Sequence, residues 1–104
     1  MVDVGIVIYV KGEEVGTLDA KWYHNKLGLG KGFAYGGPSN GFIGKYKITY
    51  KSENNEDVNR DLEIIDRDKY FEVLWLTNGV VTAKGVGFEV SEGLAVGWSH
   101  EDSK

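Results

Sequence analysis

Cysteine is missing from this chain, proline and methionine occur once each, and only two histidines are present. Without cysteine there are neither disulfides nor thiolate metal sites. His24 and His100 offer too few ligands for a metal, and no H-x-H or H-E-x-x-H spacing exists. Serine and acidic residues form no triad, so neither an enzyme nor a cofactor is expected. No apolar run approaches the length of a membrane span. The opening stretch MVDVGIVIYV is too short and too acidic for a secretory signal. The expectation is a soluble cytoplasmic protein. Basic residues form no stripe and the formal net charge is −4, which argues against nucleic acid as a partner.

What the chain has in quantity is glycine and aromatic residues: 15 Gly, three Trp, six Tyr and four Phe in 104 residues. With abundant β-branched residues, this composition favours one all-β domain over 1–104. Eight strand-like runs are separated by turn signals: 2–10, 15–24, 27–36, 42–51, 58–66, 69–77, 80–90 and 94–100. Asn78-Gly79 is the sharpest turn, because a type I′ hairpin needs positive φ at both central positions. KSENNEDVNRD reads as the most mobile loop, and its acidic cluster lacks the spacing of a calcium site.

The chain also resembles itself. Trp22, Asn25, Lys31 and Gly32 recur as Trp75, Asn78, Lys84 and Gly85 at an offset of 53. At an offset of 52, GFIGKY (41–46) matches GLAVGW (93–98), and VDVGIVI weakly matches VNRDLEI. Two four-stranded repeats are expected, about 1–51 and 52–104. Neither could bury its apolar face alone.

In LGLGKGFAYGG (27–37), small residues alternate with bulky ones. Strand alternation puts the two sets on opposite faces. If Asn25-Lys26 is a two-residue loop, Trp22 pairs with Leu29 and Ala20 with Lys31, and paired residues share a face. The bulky set then points inward and the glycines outward. A one-residue bulge would reverse the assignment. The same logic puts Lys84 inward through its pairing with Val73. The expected interior holds Val4, Ile6, Ile8, Leu18, Trp22, Leu29, Phe33, Tyr35, Phe42, Tyr46, Ile48, Leu62, Ile64, Phe71, Val73, Trp75, Val86, Phe88, Leu94, Val96 and Trp98. Outward glycines would form a flat face for a homodimer, with Leu74, Leu76 and Val81 as a small apolar patch.

Eight antiparallel strands with one apolar face close most naturally into an up-and-down meander barrel; a β-sandwich is the alternative. The meander, the aromatic interior and the repeated halves resemble avidin-like and lipocalin-like barrels. The resemblance covers the whole chain and concerns architecture. The lipocalin Gly-x-Trp is absent, since Trp22 sits in DAKWYHN, and no biotin-binding residue of avidins is matched. It implies a lumen open at one end that holds a small ligand.

The expected function is therefore binding of an apolar or aromatic small molecule, neutral or anionic, in the lumen. Lys31 and Lys84 would hold the anion, since a buried lysine needs a partner. Trp22, Trp75, Trp98, Tyr46 and Tyr50 would supply walls. His24 with Asp66 is a candidate base at the rim. The alternatives are a filled barrel acting as a structural or oligomerisation module, and a sugar-binding module.

Overall fold

The structure, a computed structural model, describes residues 3–53 and 56–100. It is an all-β closed barrel, not a sandwich. Eight strands follow one another in chain order: β1 (Val4–Lys11), β2 (Leu18–His24), β3 (Gly28–Tyr35), β4 (Gly44–Ser52), β5 (Asp57–Asp66), β6 (Phe71–Thr77), β7 (Val80–Val90) and β8 (Gly93–His100). Every neighbouring pair is antiparallel, and β1 pairs with β8 to close the ring. No helix is long and apolar enough to cross a membrane.

The polar stretch expected to be a mobile loop is mostly strand. β4 and β5 pair down to Lys51 opposite Asp57, which form an ion pair, and Lys47 pairs with Asp61. Residues 54–55, at its tip, lie outside the described residues.

The faces of β2, β4, β5, β6 and β8 follow the alternation of the sequence. Leu18, Tyr46, Ile48, Leu62, Ile64, Val73, Leu94 and Val96 fill one core. Three other strands are turned over. In β3 the small set faces inward, with Gly28 opposite His24, Gly30 opposite Trp22, Gly32 opposite Ala20 and Ala34 opposite Leu18. Leu29, Phe33 and Tyr35 are about half exposed on the outside. The cause is the turn: Asn25, Lys26 and Leu27 form a three-residue loop closed by Gly28 at φ 87°, a conformation that favours glycine. One residue more than a two-residue loop flips every side chain of the strand.

β7 reaches the same result by another device. Asn78-Gly79 is the expected two-residue turn, with φ of 53° and 83°. A register shift after Trp75 then leaves Thr82 unpaired, because Trp75 faces Ala83 and Leu76 faces Val81. Ala83, Gly85 and Gly87 point inward, while Val86 and Phe88 are 58% and 64% exposed. In β1 the inward residues are Gly5, Val7 and Tyr9; Ile6 and Ile8 face out. The run VGIVIYV is apolar on both faces, so alternation alone could not orient it.

Inward glycines make room for rings on the neighbouring strand. A methyl group added at Gly30 would overlap the indole of its partner Trp22, and one at Gly5 would overlap Trp98. At Gly32 it would lie 2.8 Å from the Tyr50 ring. Each of these glycines is the cross-strand partner of the ring that covers it.

The registers of the two halves coincide at an offset of 53. Leu18–Ala34, Ala20–Gly32 and Trp22–Gly30 correspond to Phe71–Gly87, Val73–Gly85 and Trp75–Ala83. Trp98 lies opposite Gly85 as Tyr50 lies opposite Gly32.

Gly30→Val is expected to cost about 1–3 kcal/mol through overpacking against Trp22. Gly97→Val, on the open outer face of β8, is expected to stay within about 0.5 kcal/mol of the parent. Chemical denaturation of the two variants checks this.

Candidate functional site

The lumen is filled in one half and open in the other. At the end where β1–β2, β3–β4, β5–β6 and β7–β8 connect, aliphatic side chains pack solidly and Phe42 is buried beneath the 36–43 segment. Tyr46 belongs to this plug. Its hydroxyl donates to the Phe42 carbonyl at 2.8 Å, and burial pushes its pKa up to about 12. It is not part of the open half.

At the opposite end a cavity of about 310 Å³ opens among Val7, Trp22, Tyr50, Val58, Arg60, Trp75, Ala83 and Trp98, with Glu56, His24 and His100 nearer the rim. Four of the seven residues expected to bind a ligand are brought together here: Trp22, Trp75, Trp98 and Tyr50. Lys31 and Lys84 are not. Both are exposed on the outer wall, because β3 and β7 are turned over. Lys31 stands between Lys21 and Lys51 of the adjacent strands, a row of like charges that water must screen.

The inward cation is Arg60. It shares a face with Leu62 and Ile64, two and four residues on, and this alternation was the signal that could have found it. Its Nη1 donates to the Asn59 carbonyl at 2.9 Å, and no carboxylate pairs with it among the described residues.

Polar groups on the cavity floor are ordered. Trp22 Nε1 donates to the Lys31 carbonyl at 2.8 Å, which lays its ring across β3. Trp75 Nε1 lies 2.6 Å from the Tyr50 hydroxyl, and Tyr50 lies 2.5 Å from the Tyr9 hydroxyl. Burial pushes the Tyr9 phenol well above its ordinary pKa, with Tyr50 adding to the rise. Burial also raises Tyr50, to about 12, against the opposing pull of Tyr9, Trp75 and Arg60. Both phenols therefore stay protonated at neutral pH. Trp98 differs from the other two tryptophans: its N–H has no protein acceptor among the described residues.

Asp3, His24 and His100 form a clasp at the rim, their ligand atoms within 4.8 Å of one another. Lys26 lies 2.7 Å from the Asp3 carboxylate, and His100 Nδ1 lies 2.8 Å from its other oxygen. Lys26 above all, then His100, holds the Asp3 carboxyl below its ordinary range, against the effect of burial. An ionised carboxylate only accepts, so His100 Nδ1 carries the hydrogen. Asp66, the partner expected for His24, sits at the far end, where it accepts from the Asp68 amide.

His24 is committed to its turn. Its Nδ1 accepts from the amides of Lys26 at 2.9 Å and Leu27 at 3.2 Å. That nitrogen has no hydrogen, so Nε2 carries it. A metal-bound imidazole has the reverse need, with its second nitrogen donating. Lys26 also occupies the carboxylate. The trio suits an ion-paired clasp better than a metal.

Burial lowers the His24 pKa, with His100 and Lys26 reinforcing it and Asp3 opposing. A base with a depressed folded pKa stabilises the fold fully above its unfolded value of about 6.5, and this is lost as pH falls below that value. The denaturation midpoint is expected to fall from pH 7.5 to 5.5, and His24→Asn, which keeps an acceptor for the turn amides, is expected to flatten that slope. His24→Ala should cost about 1–2 kcal/mol at pH 7.5.

Compared with known proteins, the chain matches no family model, no curated protein and no solved structure.

Proposed function

We propose that the barrel binds a small, flat, apolar or aromatic molecule in the open half of its lumen. The observation that carries this reading is the cavity walled by Trp22, Trp75, Trp98 and Tyr50. A protein that only needed a stable core would fill this half as it fills the other. An apolar cavity of about 150 Å³ holds one benzene ring. At about 310 Å³, this one suits two fused rings. Binding would draw on apolar burial and on ring contacts with the tryptophans. The two halves are read as a duplicated four-strand unit, in which Trp22 and Trp75 are counterparts serving one cavity.

An oligomerisation module is the second reading, and one observation favours it. Val86, Ile6, Tyr23 and Leu29 form an exposed row across the outer faces of β7, β1, β2 and β3, with Phe88 and Ile8 beside it. Between the ridges on β7 and β1, the outer face of β8 presents only Ala95 and Gly97. A ridge of a second copy fits that trough. This replaces the glycine face, whose glycines on β3 and β7 point inward, as the candidate dimer contact. Ile6→Lys should then lower the mass seen by sedimentation at micromolar concentration, and an unchanged mass would remove this reading.

For the cavity, titration with neutral 1-naphthol is expected to quench tryptophan emission with a dissociation constant on the order of 1–100 μM. Ala83→Leu, which grows into the cavity from β7, should abolish the response while the near-ultraviolet circular dichroism stays that of a folded barrel. No response in the parent protein would identify a filled barrel. A response to simple sugars in place of naphthol would identify a sugar-binding module.

A further inference from the structure

The chemical class of the ligand follows from where the hydrogens on the cavity floor must go. An indole N–H can only donate, so Tyr50 accepts from Trp75. A single hydrogen joins Tyr50 to Tyr9. Tyr9 is 0% exposed; the Trp75 indole also reaches its hydroxyl but can only donate, so Tyr50 is the one acceptor its hydrogen has among the described residues. If Tyr50 gave the hydrogen, the Tyr9 O–H would be buried with nowhere to donate, and such a group is costly. Tyr9 therefore donates. The Tyr50 oxygen, with two lone pairs, is then saturated by Trp75 and Tyr9, and its own hydrogen has no protein acceptor. Tyr50 lines the cavity.

The floor thus presents a hydroxyl that can give a hydrogen bond and can no longer take one. Arg60 lines the same cavity without a carboxylate partner among the described residues, and a guanidinium likewise only donates. Trp98 adds an unclaimed indole N–H. The acidic lining residue, Glu56, is exposed at the loop before β5, away from the floor.

We propose that the cavity selects a planar carboxylate, whose oxygens accept from the Tyr50 hydroxyl and the Arg60 guanidinium while its ring system lies against Trp98. This inference rests on the reading of the cavity as a binding site. A carboxylate is singled out because it offers two acceptors and no donor. An amide or an alcohol of the same shape brings a hydrogen that the floor cannot receive. A doubly charged phosphate would bring a second charge for which the cavity has no second cation.

The test compares 2-naphthoate with 2-naphthamide, which share ring and shape, by tryptophan quenching and calorimetry at pH 7.5. The parent protein is expected to bind the naphthoate about 10- to 100-fold more tightly, as charge-assisted hydrogen bonds imply. Arg60→Gln should remove most of that preference and leave the naphthamide affinity within about threefold. Tyr50→Phe should weaken the naphthoate about 3- to 10-fold. Since it also strips Trp75 and Tyr9 of their acceptor, Arg60→Gln is the deciding variant. Lys31→Gln with Lys84→Gln should change nothing. Equal affinity for the two probes, or an equal loss of both in Arg60→Gln, would overturn the carboxylate assignment and leave the cavity reading standing. Failure of both probes to bind would overturn both.

Discussion

The barrel depends on aromatic rings lying over glycines. An eight-stranded barrel is just wide enough for side chains to fill, so eight inward rows of large residues cannot coexist. This chain resolves the conflict pairwise. Trp22 covers Gly30, Trp98 covers Gly5 and Tyr50 covers Gly32, each ring resting on its own cross-strand partner. The glycines alone would leave weak, poorly registered strands. The rings restore the buried surface and pin the register at the same points. They also hold the cavity walls flat, so the device that lets the barrel close shapes the site as well.

Because the plug and the cavity share one lumen, the packed core and the open space are divided along the barrel axis. Tyr46, Ile48, Leu62, Ile64 and Leu94 make the aliphatic half. The open half keeps its polar atoms under control: the Trp22 N–H is spent on Lys31 and the Trp75 N–H on Tyr50. What remains unspent is a small set of donors facing the space. Such a division lets the open half vary in chemistry while the plug carries the fold.

Strand number, strand positions and closure were legible because period-2 runs and turn residues are local signals. The faces of β2, β4, β5, β6 and β8 were legible for the same reason. β3 and β7 were not, because a single extra residue decides each. In one it is the third loop residue, Leu27, and in the other the bulged Thr82. A volume argument would have corrected both: opposite inward Trp22 there is room for Gly30 and none for Leu29. The tryptophans and Tyr50 face inward as expected because they lie on the correctly oriented strands. Lys31 and Lys84 were misplaced with their strands, and Arg60 was missed although Leu62 and Ile64 mark its face. The Tyr9–Tyr50–Trp75 chain joins residues far apart in sequence, and no local pattern announces it.

Seven of the eight strand pairings are hairpins between neighbours in the chain; the eighth joins β1 to β8. There the amide of His100 donates to the Asp3 carbonyl and the two side chains meet, across a separation of 97 residues. Contacts so distant in sequence carry the largest loop-closure cost and are the slowest to form. A sheet that has not yet closed carries two free edges, β1 and β8. Until the seam zips, β1 of one molecule can pair with β8 of another as readily as with its own. The seam thus sets how dilute the chain must be kept while it folds; the same polar clasp forms in the exchanged ring, so dilution and not the clasp makes the closed ring win.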